Sequence, residues 1–195
     1  IVVNTTNFAL TGTDAANYTL TQPTLSANII AESLRIVITA RGLNKTYDGN
    51  TVATATVVGQ VNLLGVTQGD TVSLTGTPSF AYASAGVGRN ILVTVTGYEL
   101  TGTDAGNYTI GNPHNIVNQI KGNITAASLT INGLTAANKA YDGGTDATAT
   151  GTGSLVGITV GDTVGLTGTP SYAFATPGVG TNIVVNTTSF TLNGA

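Results

Sequence analysis

Long stretches of the sequence recur at a spacing of about 90 residues, and this repetition constrains the fold more than any other feature. Residues 68–80 recur as residues 160–172, and residues 10–19 recur as residues 100–109. A unit of about 90 residues can bury a core of its own, whereas solenoid repeats of about 20–45 residues must stack on their neighbours. The sequence therefore predicts small domains arranged in tandem.

The repeats divide the chain into three copies. Residues 1–36 read as the C-terminal part of an upstream repeat (the first copy), residues 37–131 as one complete repeat (the second copy), and residues 132–195 as the N-terminal part of a downstream repeat (the third copy). We expect the two partial copies to be unstable unless their sheets are completed by a neighbouring chain.

The composition favours β-structure. Charged residues make up only 8% of the chain, against about 25% in ordinary globular proteins. Thr and Val, which are abundant here, fit the pleated surface of a strand. Leu34, Ile36 and Ile38 alternate with other residues, as do Ile91, Val93 and Val95, and this period of two is typical of strands with one buried face. The prediction is an all-β fold of tandem small domains. An Ig-like β-sandwich is favoured, with a β-grasp-like sheet as the alternative.

Several classes of function are disfavoured by what the sequence lacks. The chain has no Cys, so it contains no disulfide framework and no Cys-based zinc site. A net charge of −3 with six scattered Lys and Arg argues against nucleic-acid binding. The apolar runs are too short for membrane insertion in this segment. His114 is the only histidine and is expected to be solvated in its loop, so we predict no catalytic residues and no cofactor-binding residues.

The motif Lys-x-Tyr-Asp-Gly occurs twice, in the second and third copies. Asp followed by Gly predicts a turn, because the Asp side chain bonds the backbone two residues on and Gly accepts a positive φ. The tyrosine is expected to anchor the turn to the core through its ring. A role for Asp48 as an acid or base is the alternative, but no His, Cys or second carboxylate accompanies it. The predicted structural residues are Tyr47, Asp48, Gly49, Tyr141, Asp142 and Gly143.

A second motif, Thr-Gly-Thr-Asp-Ala-x-Asn-Tyr, occurs in the first and second copies. Its Asp and Asn side chains are candidate Ca²⁺ ligands, but each copy supplies one carboxylate and Ca²⁺ takes six to eight oxygens. A turn with Asx capping, anchored by the tyrosine, is the favoured interpretation. The candidate ligands are Asp14, Asn17, Asp104 and Asn107, and the anchors are Tyr18 and Tyr108.

A covalent bond between Lys and Asn or Asp is a third hypothesis, since such a bond would stabilise a stalk without cysteines. It needs a buried Lys, its partner and a nearby acid in each copy. Lys45 and Lys139 recur, whereas Glu99 does not. The hypothesis is therefore disfavoured.

Taken in order, the motifs resemble the YDG-type repeat of very large bacterial surface proteins, including filamentous-haemagglutinin-like exoproteins. The resemblance covers nearly the whole chain and implies an extracellular, cell-surface location with a spacer or adhesive role and no catalytic residues. Its markers are Tyr47, Asp48, Gly49, Asp70, Gly76, Pro78, Asp104, Asn107 and Tyr108.

These observations lead us to expect a non-enzymatic stalk or spacer repeat of a large bacterial adhesin or extracellular fibre. The alternatives are an adhesive module that binds a glycan or a protein, and a subunit of a self-assembling extracellular filament. The expected partners are neighbouring repeats of the same chain, with other copies as partners through strand exchange at open sheet edges.

Overall fold

The computed structural model describes residues 1–4, 8–111, 114 and 116–194. Strands account for 43% of the structure and helical turns for 3%, which confirms the predicted all-β class of small tandem sheets. The first eleven strands are β1 Val2–Asn4, β2 Thr24–Ser26, β3 Glu32–Val37, β4 Ala40–Arg41, β5 Lys45–Thr46, β6 Thr56–Val57, β7 Asn62–Leu64, β8 Ser73–Tyr82, β9 Gly88–Thr101, β10 Tyr108–Ile110 and β11 Ile120–Thr125.

The other eight strands lie mainly in the third copy, and two 3-10 turns, Ala15–Asn17 and Ala105–Asn107, follow the aspartates of the Thr-Gly-Thr-Asp motif. None of the described helical segments is long or apolar enough to span a bilayer. These strands are β12 Thr130–Asn132, β13 Thr135–Ala136, β14 Ala149–Thr150, β15 Ser154–Val156, β16 Gly165–Thr167, β17 Ser171–Phe174, β18 Val185–Thr188 and β19 Thr191–Asn193.

The two larger sheets are formed mainly by the second copy. One has the strand order β10-β3-β7 and the other the order β5-β11-β9-β8. The remaining described strands form two-stranded sheets, β1-β2, β4-β6, β12-β15, β13-β14, β16-β19 and β17-β18. The predicted boundaries after residues 36 and 131 fall inside β3 and β12.

Two of the pairings are parallel and join strands that are distant in sequence. β10 pairs with β3, placing Tyr108 opposite Glu32 and Ile110 opposite Leu34. β11 pairs in parallel with β5 and antiparallel with β9. The strands that follow β9 thus complete sheets whose other strands, β3 and β5, lie about 75 residues earlier in the sequence. Parallel strands need a long connection of this kind.

The chain folds into two compact units, each with a core of its own. The first comprises Ile1–Thr39, Val57–Ser79 and Val95–Asn118. Its fully or almost fully buried residues are Leu34, Ile36, Ile38, Val95 and Tyr108. The predicted alternation of Leu34, Ile36 and Ile38 is confirmed, since all three are 0% exposed.

The second unit comprises Ala40–Thr56, Phe80–Thr94 and Gln119–Ala195. Its buried hydrophobic residues all lie between residues 43 and 124, so they belong to the second copy and not to the third. They are Leu43, Ala53, Phe80, Tyr82, Val93, Ile120 and Ile124.

The described part of the third copy contains no fully buried side chain. Tyr172, Phe174 and Val185 occupy the repeat positions of Phe80, Tyr82 and Val93 but remain half-exposed. Residues 132–194 hold no segment equivalent to β10 or β11, and β11 pairs directly with the strand carrying Val93. Among the described residues, β18 therefore pairs with β17 alone, whereas β9 pairs with both β8 and β11.

Candidate functional site: two repeated turns and a groove

The Lys-x-Tyr-Asp-Gly turn of the second copy is organised around one ammonium group. Lys45 Nζ donates to Asp48 Oδ1 at 2.6 Å, to the Asn50 carbonyl at 2.7 Å and to the Val52 carbonyl at 3.1 Å. Asp48 Oδ1 also accepts the Asn50 N–H at 3.2 Å, and Gly49 has φ +78°. An Asx turn and a Lys side chain thus hold the same loop from two sides.

The third copy builds the same turn. Lys139 Nζ donates to Asp142 Oδ1 at 2.7 Å and to the Gly144 carbonyl at 2.9 Å. The Gly144 N–H donates to Asp142 Oδ1 at 2.9 Å, and Gly143 has φ +79°. Since Gly144 stands where the second copy has Asn50, the geometry depends on the Lys, the Asp and the Gly and not on the residue that follows them.

The electrostatics of these turns suit a structural role. The hydrogen bond from the lysine, followed by that from the backbone N–H, lowers the pKa of Asp48 and likewise of Asp142 below the usual carboxyl value. A general base works best when its pKa lies near the working pH. These carboxylates are instead held ionised and fully engaged by the turn.

The expected anchoring of these turns by tyrosine rings is wrong. Tyr47 is half-exposed, and Tyr141 is 69% exposed. The position beneath the turn is taken by Lys45, whose Nζ lies 5.6 Å from the ring centroid of Tyr82. A long aliphatic side chain can cover an apolar ring while its charged end stays in the polar turn.

The Thr-Gly-Thr-Asp motif also differs from its predicted form. Asp14 and Asp104 each precede a 3-10 turn, but neither side chain caps it, so the predicted Asx capping is wrong. Asp104 Oδ2 instead accepts the Thr71 N–H at 2.8 Å and the Thr103 hydroxyl at 3.0 Å. The carboxylate is therefore used to hold a loop that is distant in sequence.

The tyrosine that ends this motif is a buried anchor in the second copy. Tyr108 is 6% exposed, and its hydroxyl donates to Asp70 Oδ2 at 2.5 Å and accepts the Thr67 N–H at 3.0 Å. Tyr18, at the same position of the first copy, is 70% exposed and is not an anchor in this chain.

The candidate Ca²⁺ ligands are not brought together. In the part of the chain that the structure describes, no group of three or more His, Asp or Glu side chains gathers around a common point. Asn17 and Asn107 end their 3-10 turns, where their N–H groups donate to the Asp14 and Asp104 carbonyls at 3.0 Å. These residues shape turns.

The expected solvation of His114 is also wrong. Its Nε2 accepts the Tyr98 N–H at 2.8 Å, and its Nδ1 lies 2.7 Å from the Gly111 carbonyl oxygen, to which it donates as the neutral tautomer. The imidazole lies 5.9 Å from the Tyr98 ring and is half-buried. A lone loop His gave no signal of this role in the sequence, because both its backbone partners are set by tertiary structure.

The third copy contains an open groove of about 580 Å³. Residues on its two walls include Lys139, Tyr141, Phe174, Gly180 and Val185. In the second copy, the corresponding walls are β5 and the first half of β9, and β11 lies between them and pairs with both. The groove is therefore the position of a β11-type strand.

The YDG domain family matches the chain in two segments, residues 32–116 and 125–195, which together cover most of its length. The chain belongs to the YDG domain family. No curated protein and no solved structure matches the chain. Each matched segment contains one YDG turn, centred on Asp48 in the second copy and on Asp142 in the third.

Replacing Lys45 with Met is expected to loosen the YDG turn of the second copy. The variant keeps the aliphatic stem and removes the donor to Asp48, Asn50 and Val52. We expect a loss of about 1 kcal/mol of unfolding free energy in chemical denaturation. Lys139→Met is the matched control, because its turn lies in a copy without a buried core, and it should leave the main transition in place.

The same turn gives a pH dependence of definite sign. The pKa of Asp48 is depressed in the folded state, so its contribution is present above the ordinary carboxyl pKa of about 3.9 and is lost as the pH falls through the folded pKa. An NMR titration should show Asp48 below its usual pKa in the wild type and near it in Lys45→Met. An unchanged Asp48 pKa in the variant would contradict the assignment.

A peptide with the sequence of residues 118–127, which include β11, should bind the groove of the third copy. Addition of a strand to an exposed edge supplies backbone hydrogen bonds, and Ile120 and Ile124 supply the apolar side chains. NMR should show shifts at Lys139, Tyr141 and Val185. A peptide carrying Ile120→Asp and Ile124→Asp is the control, and equal shifts with that peptide would refute strand addition.

Proposed function

We propose that this pair of YDG domains is a structural spacer in the stalk of a large bacterial cell-surface adhesin or extracellular fibre, and that it is not an enzyme. The observation that carries the proposal is the turn built twice by Lys, Asp and Gly. In both copies, the repeated polar side chains bond to one another and to nearby backbone atoms. A spacer needs its repeated residues to keep one domain shape in every copy.

Strand length supports a role in extending a stalk. The six residues of β11 correspond to about 20 Å at about 3.3 Å per residue. A series of such domains gains reach with every copy and needs no ligand to do so. The partners we propose are therefore the neighbouring copies of the same chain.

The extracellular location is part of this proposal, and the composition is compatible with it. Because the chain has no Cys, transfer from a reducing to an oxidising compartment neither forms nor breaks a disulfide. The stability rests on sheet packing and on turns of the YDG type. Antibodies against the chain should label intact cells in immunogold microscopy, and label that appears only in permeabilised cells would refute this location.

The spacer role is tested by length. Small-angle X-ray scattering on this chain and on a version with one further complete copy should show the maximum dimension increase by a few tens of Å, on the order of one strand length. A compact particle of almost unchanged maximum dimension would contradict a spacer.

A filament subunit is the second candidate, because an open sheet edge accepts a strand from another chain. Light scattering over a range of concentrations distinguishes the two roles. A mass that stays constant supports the spacer, and a mass that rises steadily supports the filament.

A further inference from the structure

The YDG turn of the second copy contacts a loop of the third. The Tyr47 hydroxyl donates to Asp162 Oδ1 at 3.0 Å. Gly49 of the same turn approaches the same loop so closely that a Cβ there would lie 2.9 Å from Thr159 Cγ2. The Asp162 N–H donates to the Thr159 carbonyl at 3.0 Å and closes this loop. Two residues of one turn thus meet a single short loop of the next copy.

The equivalent tyrosine of the third copy shows what the contact changes. Tyr141 belongs to a turn with the same internal geometry, but it is 69% exposed, whereas Tyr47 is half-buried. Among the described residues, the Tyr141 hydroxyl makes no hydrogen bond like that of Tyr47 with Asp162. The partial burial of Tyr47 is therefore a consequence of the neighbouring copy and not of its own turn.

The aspartate that receives Tyr47 has an equivalent in the second copy. Asp162 lies in the loop Thr-x-x-Asp, and Asp70 occupies the same place in residues 67–70. Asp70 accepts the hydroxyl of Tyr108, from its own copy, at Oδ2. Asp162 accepts Tyr47, from the preceding copy, at Oδ1. An ionised carboxylate has two oxygens with about four acceptor sites, so one carboxylate can accept both tyrosine hydroxyls.

We propose that the tyrosine of each YDG turn binds the Thr-x-x-Asp loop of the following copy, and that this loop's aspartate joins two tyrosines, one from each of two consecutive copies. The partner of this surface is the next YDG domain of the same chain. This contact deepens the proposed spacer function, on which it rests, because it names the residues that would link successive copies of a stalk.

The environment of Tyr47 agrees with this contact. The hydrogen bond to Asp162 raises the pKa of Tyr47 above its usual 10.0, and desolvation and the charges of Asp162 and Asp48 act in the same direction. The neutral phenol donor is thus retained to a higher pH than in a free tyrosine. NMR can follow this property for each tyrosine separately.

The test compares three single substitutions in the whole chain. Tyr47→Phe removes only the hydroxyl and should shift the backbone amide signals of residues 159–162, more than 110 positions away in the sequence. Tyr141→Phe makes the same change in a turn whose tyrosine is 69% exposed and should shift only signals of its own turn. Asp162→Asn should lower the pKa of Tyr47 toward its usual 10.0.

Two results would overturn the proposal. One is a Tyr47→Phe spectrum in which residues 159–162 do not move. The other is a shift that disappears on tenfold dilution, since the contact would then join separate chains. Neither result bears on the maximum dimension measured by X-ray scattering. A maximum dimension that fails to increase would in turn leave the Tyr47 shifts in place. The failure of the contact and the failure of the spacer role are therefore distinguishable.

Discussion

Ile124→Ala is expected to reduce the unfolding free energy of the second copy by about 3 kcal/mol, within the range for truncating a buried aliphatic side chain. Ile124 is 1% exposed and lies in β11, which pairs with β5 on one side and β9 on the other. Truncation of the Ile124 side chain leaves a cavity where β11, near the end of the repeat, pairs with β5, near its beginning. Denaturant unfolding followed by circular dichroism measures the loss.

The first copy supplies the control for this substitution. Ile29 occupies the same repeat position as Ile124, but it is 80% exposed. Ile29→Ala should change the unfolding free energy by less than about 0.5 kcal/mol. Equal losses for the two substitutions would show that the second copy does not hold the core described here.

Gly76→Ala is expected to destabilise the second copy by at least about 2 kcal/mol, since an L-residue is strained at this backbone conformation. Gly76 has φ +90° within β8, and its added Cβ would overlap the carbonyl oxygen of Gly97. The obstacle is backbone and cannot move aside as a flexible side chain would. The third copy repeats this feature at Gly168, which has φ +107°.

Gly106→Ala is the matched control for the backbone. Gly106 has no atom within 4 Å of a built Cβ, and the first copy carries Ala16 at the same repeat position. This variant should be neutral or slightly stabilising in thermal unfolding, because Ala restricts the unfolded chain. If Gly106→Ala lost as much stability as Gly76→Ala, replacement of any glycine would be destabilising, and the positive φ of Gly76 would not be the cause.

The sequence was sufficient for those features that depend on local spacing. Alternation at Leu34, Ile36 and Ile38 predicts a buried face, and Asp48-Gly49 predicts a turn, because both follow from the geometry of a few adjacent residues. The recurrence of whole motifs identifies the tandem organisation. None of these conclusions requires knowledge of which strands are neighbours.

The features that could not be predicted all depend on partners distant in sequence. The parallel pairing of β10 with β3 leaves no mark in the alternation of either strand. The outward position of Tyr47 depends on Lys45 occupying the space over Tyr82, and its hydrogen bond depends on Asp162 in the next copy. The groove of the third copy becomes understandable only when β11 is seen in the equivalent place of the second.

We propose that a YDG domain is a self-sufficient β unit repeated along a stalk, and stretching single molecules tests this most directly. A chain carrying several complete copies should unfold in equal steps. Each step should release one repeat of about 90 residues, which at about 3.6 Å per residue corresponds to roughly 300 Å of contour length. One step per added copy is the predicted result. A single step that releases the whole chain, or a smooth extension with no steps, would contradict it.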